Sequence, residues 1–147
     1  MGEARRAGIE DLSGMLELFS VSEVSPVAAP FQQAAGIWQE IVGSEHSVVF
    51  VAEHAAKICA TCTLITAPNL LRRGRRHGFL ENVVTHPAFR GRGLGRSVVS
   101  AALDHAWSAG CHQVLLQSGR TDPRVHRFYE GLGFQSGLRL GYVAMRP

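Results

Sequence analysis

The sequence predicts an α+β fold with mixed strand pairing, and three observations point to it. Two β-branched runs, Ser47–Glu53 (SVVFVAE) and Lys57–Thr66 (KICATCTLIT), are separated only by His54-Ala55-Ala56, the mark of an antiparallel hairpin. Phe79–Thr85 (FLENVVT) and the short apolar run Val114–Gln117 flank a helical stretch. That strand–helix–strand unit argues for one parallel pair within an otherwise antiparallel sheet.

The remaining elements follow in order. Ala4–Ile9 reads as a short first strand, and Glu10-Asp11-Leu12 opens a helix whose Leu12, Met15, Leu16 and Phe19 recur at helical spacing. SEVSPVAAP, with Pro26 and Pro30, is a loop. A second helix is expected over 31–42, ended by Gly43-Ser44. LRRGRRHG forms a basic loop before the strand at 79–85, and His86-Pro87 stops that strand. From Gly93 to Ala109 the residues Leu94, Val98, Ala102 and Ala106 trace one helical face, with Gly110 as the residue past the helix end. Pro123–Gly131 reads as a fourth helix and Leu138–Met145 as a last strand. The sum is a central sheet of six to seven strands with about four helices.

The 147 residues suit one domain, 1–147, with a core of its own. No apolar stretch approaches the roughly 20 residues that cross a bilayer, and the N-terminus MGEARRAGIEDL lacks the apolar region of a signal peptide. A cytoplasmic protein without membrane contact is expected. The net charge is +3, and Lys57 is the only lysine among 15 basic residues. Arginine's planar fork suits phosphate and carboxylate, although codon bias in a GC-rich genome explains the same excess. Cys59, Cys62 and Cys111 are odd in number, which argues against a disulfide framework. Cys59-Ala-Thr-Cys62 has CxxC spacing but lies in a predicted strand, so no metal site is expected.

The chemistry concentrates in FRGRGLGRSVV, Phe89–Val99, which holds three glycines and three arginines. The Walker pattern fails for want of a lysine, and the dinucleotide pattern fails on spacing. The stretch still suits a phosphate. A helix N-terminus presents unpaired N–H groups and partial positive charge, glycines let a ligand reach the backbone, and arginines add charge-assisted bonds. A glycine-rich turn with solvated arginines is the plainer alternative.

RGRGLG resembles the [QR]xxGx[GA] pyrophosphate loop of the GNAT superfamily of acetyl-CoA-dependent N-acetyltransferases. Glu81-Asn82-Val83-Val84-Thr85-His86-Pro87 is similar to that family's fourth strand. Arg127-Phe128-Tyr129-Glu130-Gly131-Leu132-Gly133-Phe134 resembles its fourth helix and following turn. The resemblance implies α/β/α layers, with strands 4 and 5 parallel and splayed. It assigns acetyl-CoA to a loop of Arg90, Gly91, Arg92, Gly93, Leu94, Gly95 and Arg96, with Ser97 in the first helical turn. Val83, Val84 and Thr85 would hold the pantetheine arm, largely through main chain. A β-bulge in that strand would aim an N–H at the thioester carbonyl.

The implied reaction is direct attack of a primary amine on the acetyl thioester. Tyr129 matches the general acid of many relatives, against a plain role in packing. Glu81, the only carboxylate on its strand, matches the base position, against a solvated or salt-bridged carboxylate. His86 and His126 are rival bases, read first as surface or capping histidines. Asp122 stands where many relatives have an asparagine that touches the cofactor arm, and it suits a helix cap ahead of Pro123.

A small-molecule amine is the favoured acceptor, with a protein or aminoacyl-tRNA amine as the alternative. The pocket is expected from the 20–36 region and the last strands, with Phe31, Trp38 and Tyr142 as candidate lining. LRRGRRHG is read first as a solvated turn; an acidic acceptor, the 3′-phosphate of CoA and RNA are its alternatives. No aromatic residue interleaves with its arginines to stack bases, which weighs against nucleic acid. Rivals from other classes are a non-catalytic acyl-CoA sensor on the same fold and a nucleic-acid module. Homodimerisation is common in the family and is left open.

Overall fold

The hairpin at the centre of the chain is the spine of the sheet. β2 (Ser47–His54) and β3 (Lys57–Ala67) pair antiparallel, joined by Ala55 and Ala56 at φ 51° and 62°. Two successive residues with positive φ, as in a type I′ turn, match the twist of the flanking strands. In the computed structural model, which describes residues 2–147, β1 (Ala4–Arg6) adds antiparallel to β2. β4 (Arg76–Thr85) adds antiparallel to β3, and β5 (Cys111–Leu115) adds parallel to β4. The sheet order is β1-β2-β3-β4-β5.

The expected parallel pair is present, but among the described residues the sheet has five strands rather than six to seven. Leu138–Met145 joins no ladder. A strand exists only through its neighbours, and alternation in sequence does not supply one. The first strand is also shorter than expected. Ile9–Asp11 tightens into a 3₁₀ turn ahead of α1 (Leu12–Ser20), fixed by the Gly8 N–H donating to the Asp11 carboxylate at 2.7 Å. β4 begins three residues earlier than its apolar run, at Arg76, so the basic loop shrinks to a 3₁₀ turn at Arg72–Gly74 and its flanks. β5 likewise begins at Cys111, where it meets Arg76. At that crossing Gly78 is required: a Cβ there would lie 2.9 Å from the Gln113 carbonyl oxygen.

Helices cover both faces. α1 and α2 (Phe31–Gly43) lie on one face, where Met15, Leu18 and Trp38 pack with Val49, Val51 and Ile58. The Trp38 indole N–H is satisfied by the carbonyls of Gly8 and Ile9, each at 3.2 Å. α3 (Leu94–Ser108) covers the other face with Leu94, Val98, Val99, Ala102 and Ala106 fully withdrawn from water, the stripe its periodicity predicts. Gly110, at φ 84°, follows as the left-handed residue past the helix end. Cys62 belongs to this layer, its thiol reaching the Val98 carbonyl at 3.2 Å.

The elements up to Leu116 form one compact unit, and Gln117–Pro147 forms a second. The second holds α4 (Pro123–Glu130) and the segment after it. The Asp122 side chain accepts from the Arg124 N–H at 2.9 Å with Pro123 in the first helical position, as its sequence predicts. No helix among the described residues is long and apolar enough to cross a membrane.

Candidate active site

The decisive irregularity lies in β4. Thr61 pairs with Val84 and Thr63 with Glu81, so Asn82 and Val83 together face the single residue Cys62. One residue is extra, and Asn82 takes up the slack at φ 52°, a left-handed conformation that asparagine tolerates better than most side chains. A bulge of this kind turns the backbone groups of the extra residue off the ladder.

The opposite edge of β4 opens at the same level. β5 pairs with Arg76, His77, Gly78 and Phe79, and its last partner is Phe79 against Leu115. Leu80–Thr85 continues beyond it, so the two parallel strands share only their first half. Val83, Val84 and Thr85 are half-buried along this stretch, and Val84 packs into the core beneath α1 and α2. β4 ends where the His86 N–H donates to the Cys59 carbonyl at 2.8 Å. The His86 ring then accepts the Ala88 N–H through Nδ1 at 3.1 Å, capping the Pro87–Phe89 turn. His86 is thus a capping histidine.

That turn feeds the glycine loop. Gly91 and Gly93 sit at φ 76° and 80°, a region costly to any residue with a Cβ, and Gly93 is the N-cap of α3. A helix beginning at Leu94 leaves the N–H groups of Gly93, Leu94 and Gly95 without acceptors inside the helix. Arg90, Arg92 and Arg96 are exposed around this end. The Arg92 guanidinium lies 5.1 Å above the Phe89 ring, and its Nη1 is 3.4 Å from Nε2 of His54. Ser97 is built into the fold: its N–H donates to the Gly93 carbonyl at 2.9 Å, and its hydroxyl oxygen accepts the Ala4 N–H at 3.0 Å.

Beneath α1 and α2 an apolar pocket of about 210 Å³ reaches the bulge. Leu16, Phe19, Val27, Ile37 and Trp38 are among its walls, and Thr63 and Asn82 are its polar ones. Of the expected lining residues in the first unit, Trp38 is a wall and Phe31 is not. Phe31 is exposed on α2, and Tyr142 lies in the second unit and is exposed. Asn82 was not singled out by its sequence. Its signal was an asparagine inside an apolar strand run, a residue type that strands disfavour unless the backbone turns left-handed.

Tyr129 stands near the end of α4, half-buried, its ring edge-on to Phe128 and Phe134 at 5.1 and 5.8 Å. Its carbonyl accepts the N–H groups of Leu132 and Phe134, tying the turn through Gly133 (φ 93°) back onto the helix. His126 is exposed on the same helix. The Arg124 hydrogen bond holds the Asp122 carboxyl below its usual range.

The model of the acetyltransferase (GNAT) family matches residues 12–134. The chain belongs to this family. A glucosamine 6-phosphate N-acetyltransferase of Oryza sativa subsp. japonica is 34% identical, over 95% of this chain and 87% of that protein. The enzyme of the same name from Trypanosoma brucei brucei is 31% identical over 88% and 86%. A solved structure from Agrobacterium tumefaciens str. C58 superposes with a TM-score of 0.90 at 41% identity, covering 98% of this chain and 99% of that one. The protein is an acetyl-CoA-dependent N-acetyltransferase, with acetyl-CoA as co-substrate. The bulged fourth strand and the glycine loop of this GNAT enzyme therefore lie in the segment that the family model spans.

Proposed function

We propose that this acetyltransferase acetylates the primary amine of a small molecule, by direct attack on the acetyl thioester bound along β4. The observation that carries the reading is the bulge at Asn82, beside a β4 edge that β5 leaves unpaired and ahead of the N-terminus of α3. The pyrophosphate of acetyl-CoA then rests on the amides at Gly91–Gly95, with Arg90, Arg92 and Arg96 supplying counter-charge. The pantetheine arm extends β4 as an added strand along Val83, Val84 and Thr85. The backbone N–H released by the bulge donates to the thioester carbonyl oxygen as negative charge develops there. Glu81 takes the proton of the incoming ammonium, directly or through water, and Tyr129 protonates the departing thiolate.

The relatives' names support an amino sugar phosphate as the acceptor, with glucosamine 6-phosphate tried first. A second reading is favoured by the pocket beside Asn82. Its walls are almost wholly apolar, which suits an amine with a compact apolar body better than a sugar phosphate. Incubation of the protein with acetyl-CoA and a panel of glucosamine 6-phosphate, glucosamine and aryl-alkylamines, followed by thiol release, decides between them. Turnover with the sugar phosphate alone supports the first reading, and turnover with the arylalkylamines alone supports the second. Saturable acetyl-CoA binding without turnover on any amine would instead make the chain a sensor.

A further inference from the structure

His54 closes β2 at the tip of the central hairpin and reaches the glycine loop from outside it. Its Nε2 lies 3.4 Å from Nη1 of Arg92. A guanidinium only donates, so Nε2 is the accepting atom and the ring proton sits on Nδ1. Phe89 joins the two residues. Its ring centroid is 5.0 Å from that of His54 and 5.1 Å from Cζ of Arg92. His86 meets the same ring edge-on at 4.9 Å.

This cluster is tied to the sheet. The β2–β3 register slips by one residue after Ala52, which leaves Cys59 as an extra residue in β3. The Cys59 carbonyl accepts the His86 N–H at 2.8 Å. The hairpin tip that carries His54 is thereby joined to the turn that carries Phe89. Among the described residues no carboxylate pairs with Arg92. Its charge is not neutralised from within, and an imidazole acceptor and an aromatic face set its direction.

We propose that His54 is a positioning residue for coenzyme binding, which together with Phe89 holds Arg92 ready for the pyrophosphate of acetyl-CoA. The inference rests on the reading that Arg92 supplies counter-charge there. A free arginine samples many rotamers, and ordering it on binding costs affinity. A side chain already held meets less of that cost. His54 engages one N–H, and the other donors of the guanidinium stay available to phosphate oxygens.

Calorimetric titration of the full chain with CoA tests this. His54→Leu keeps apolar bulk against Phe89 and removes the acceptor. Affinity for CoA should fall about 3- to 10-fold, the range for ordering one long side chain. His54→Gln returns an acceptor near the place of Nε2 and should bind within about 2-fold of wild type. Added to Arg92→Ala, His54→Leu should have almost no further effect, because the two side chains act as one unit. A merely structural role would persist in that background. The loss should be equal with dephospho-CoA, which keeps the pyrophosphate and lacks the 3′-phosphate.

Unchanged or tighter binding by His54→Leu, with weaker binding by Arg92→Ala, overturns the role of His54 and leaves that of Arg92 standing. Wild-type affinity in Arg92→Ala removes Arg92 from the pyrophosphate, and the proposal falls with it. A loss seen with CoA and absent with dephospho-CoA also overturns it, because the pair would then serve the 3′-phosphate. Nitrogen NMR of the wild-type protein at mildly alkaline pH decides the contact even if no variant folds. A proton on Nδ1 of His54 is expected, and a proton on Nε2 overturns the proposal.

Discussion

Glu81 and Thr63 stand directly opposite one another across the β3–β4 ladder, and Thr63 is a wall of the apolar pocket beneath α1 and α2. Directly opposed residues project to the same face of a sheet. The exposed carboxylate of Glu81 is therefore on the pocket side of β4, one residue before the bulge. An amine seated in the pocket would approach the reacting carbonyl past this group.

Glu81→Gln keeps the shape and removes the proposed base. The expected effect is a fall in kcat of about 10²-fold or more, the usual range for a positioned base. The acid limb of the kcat/KM profile should flatten, because a base must lose its proton to act. Steady-state rates between pH 5 and 9 check this; a variant with an unaltered rate and profile takes the role away from Glu81.

Tyr129→Phe separates catalysis from binding. The ring contacts with Phe128 and Phe134 survive, and only the hydroxyl is lost. Turnover should drop by roughly 10²-fold while the affinity for acetyl-CoA holds, as expected when a proton donor is removed from the transition state alone. Calorimetric titration with CoA beside steady-state kinetics reads both quantities. Turnover at the wild-type level would reduce Tyr129 to a packing residue.

The thiol-release assay that serves these tests depends on the protein's own thiols staying silent. Cys59, Cys62 and Cys111 are free and buried. Burial pushes the Cys62 thiol up to about 12 and raises the other two as well. The thiolate is the reactive form, so a disulfide reagent at neutral pH should titrate almost none of the three in the native protein. All three should appear on denaturation.

Acid stability should centre on the Arg5–Asp11 pair. The guanidinium meets the buried carboxylate in two bonds, 2.8 and 2.9 Å, and the Gly8 N–H adds a third. Hydrogen bonding from Arg5 is the main reason the Asp11 carboxyl is held below its usual range. The unfolded chain therefore takes up that proton at a higher pH than the folded one. The stabilisation is complete above the ordinary carboxylate value of about 3.9 and is lost as pH falls through the depressed folded value. Asp11→Asn should cost about 1–3 kcal/mol at pH 7, the range for breaking a buried polar pair, and less at pH 3. Urea unfolding at the two pH values measures the difference.

Much of this architecture was legible because its signals are local. The Ser47–Ala67 hairpin, the Leu94–Ala106 stripe and the RGRGLG loop each depend on neighbours in sequence, and each lies where its pattern predicts. The failures involve partners remote in sequence. Arg76 joins β4 because Cys111 lies beside it, and the polarity of RRHG hid that pairing. Leu138–Met145 has a strand's alternation without a strand's neighbour. Within the site, Glu81 and Val83–Thr85 could be placed on β4 by resemblance, but the one-residue slip that separates them is a property of the register with β3.

That slip gives the sharpest test of backbone geometry. Asn82 at φ 52° should accept glycine with little loss of stability, since glycine adopts this conformation freely. Asn82→Val should cost on the order of 1–2 kcal/mol, the penalty for a β-carbon in the left-handed region, and β-branching worsens it. If the bulge N–H serves the reacting carbonyl, the two variants also part in rate. Asn82→Gly keeps the donor in place and retains most of the kcat. Asn82→Val draws the residue toward regular extended backbone, withdraws the donor, and should lose about 10²-fold, as removal of an oxyanion donor does. Thermal unfolding and single-turnover kinetics on both variants give the comparison. Equal rates for glycine and valine would show that the bulge is a feature of sheet shape and that the carbonyl is held elsewhere.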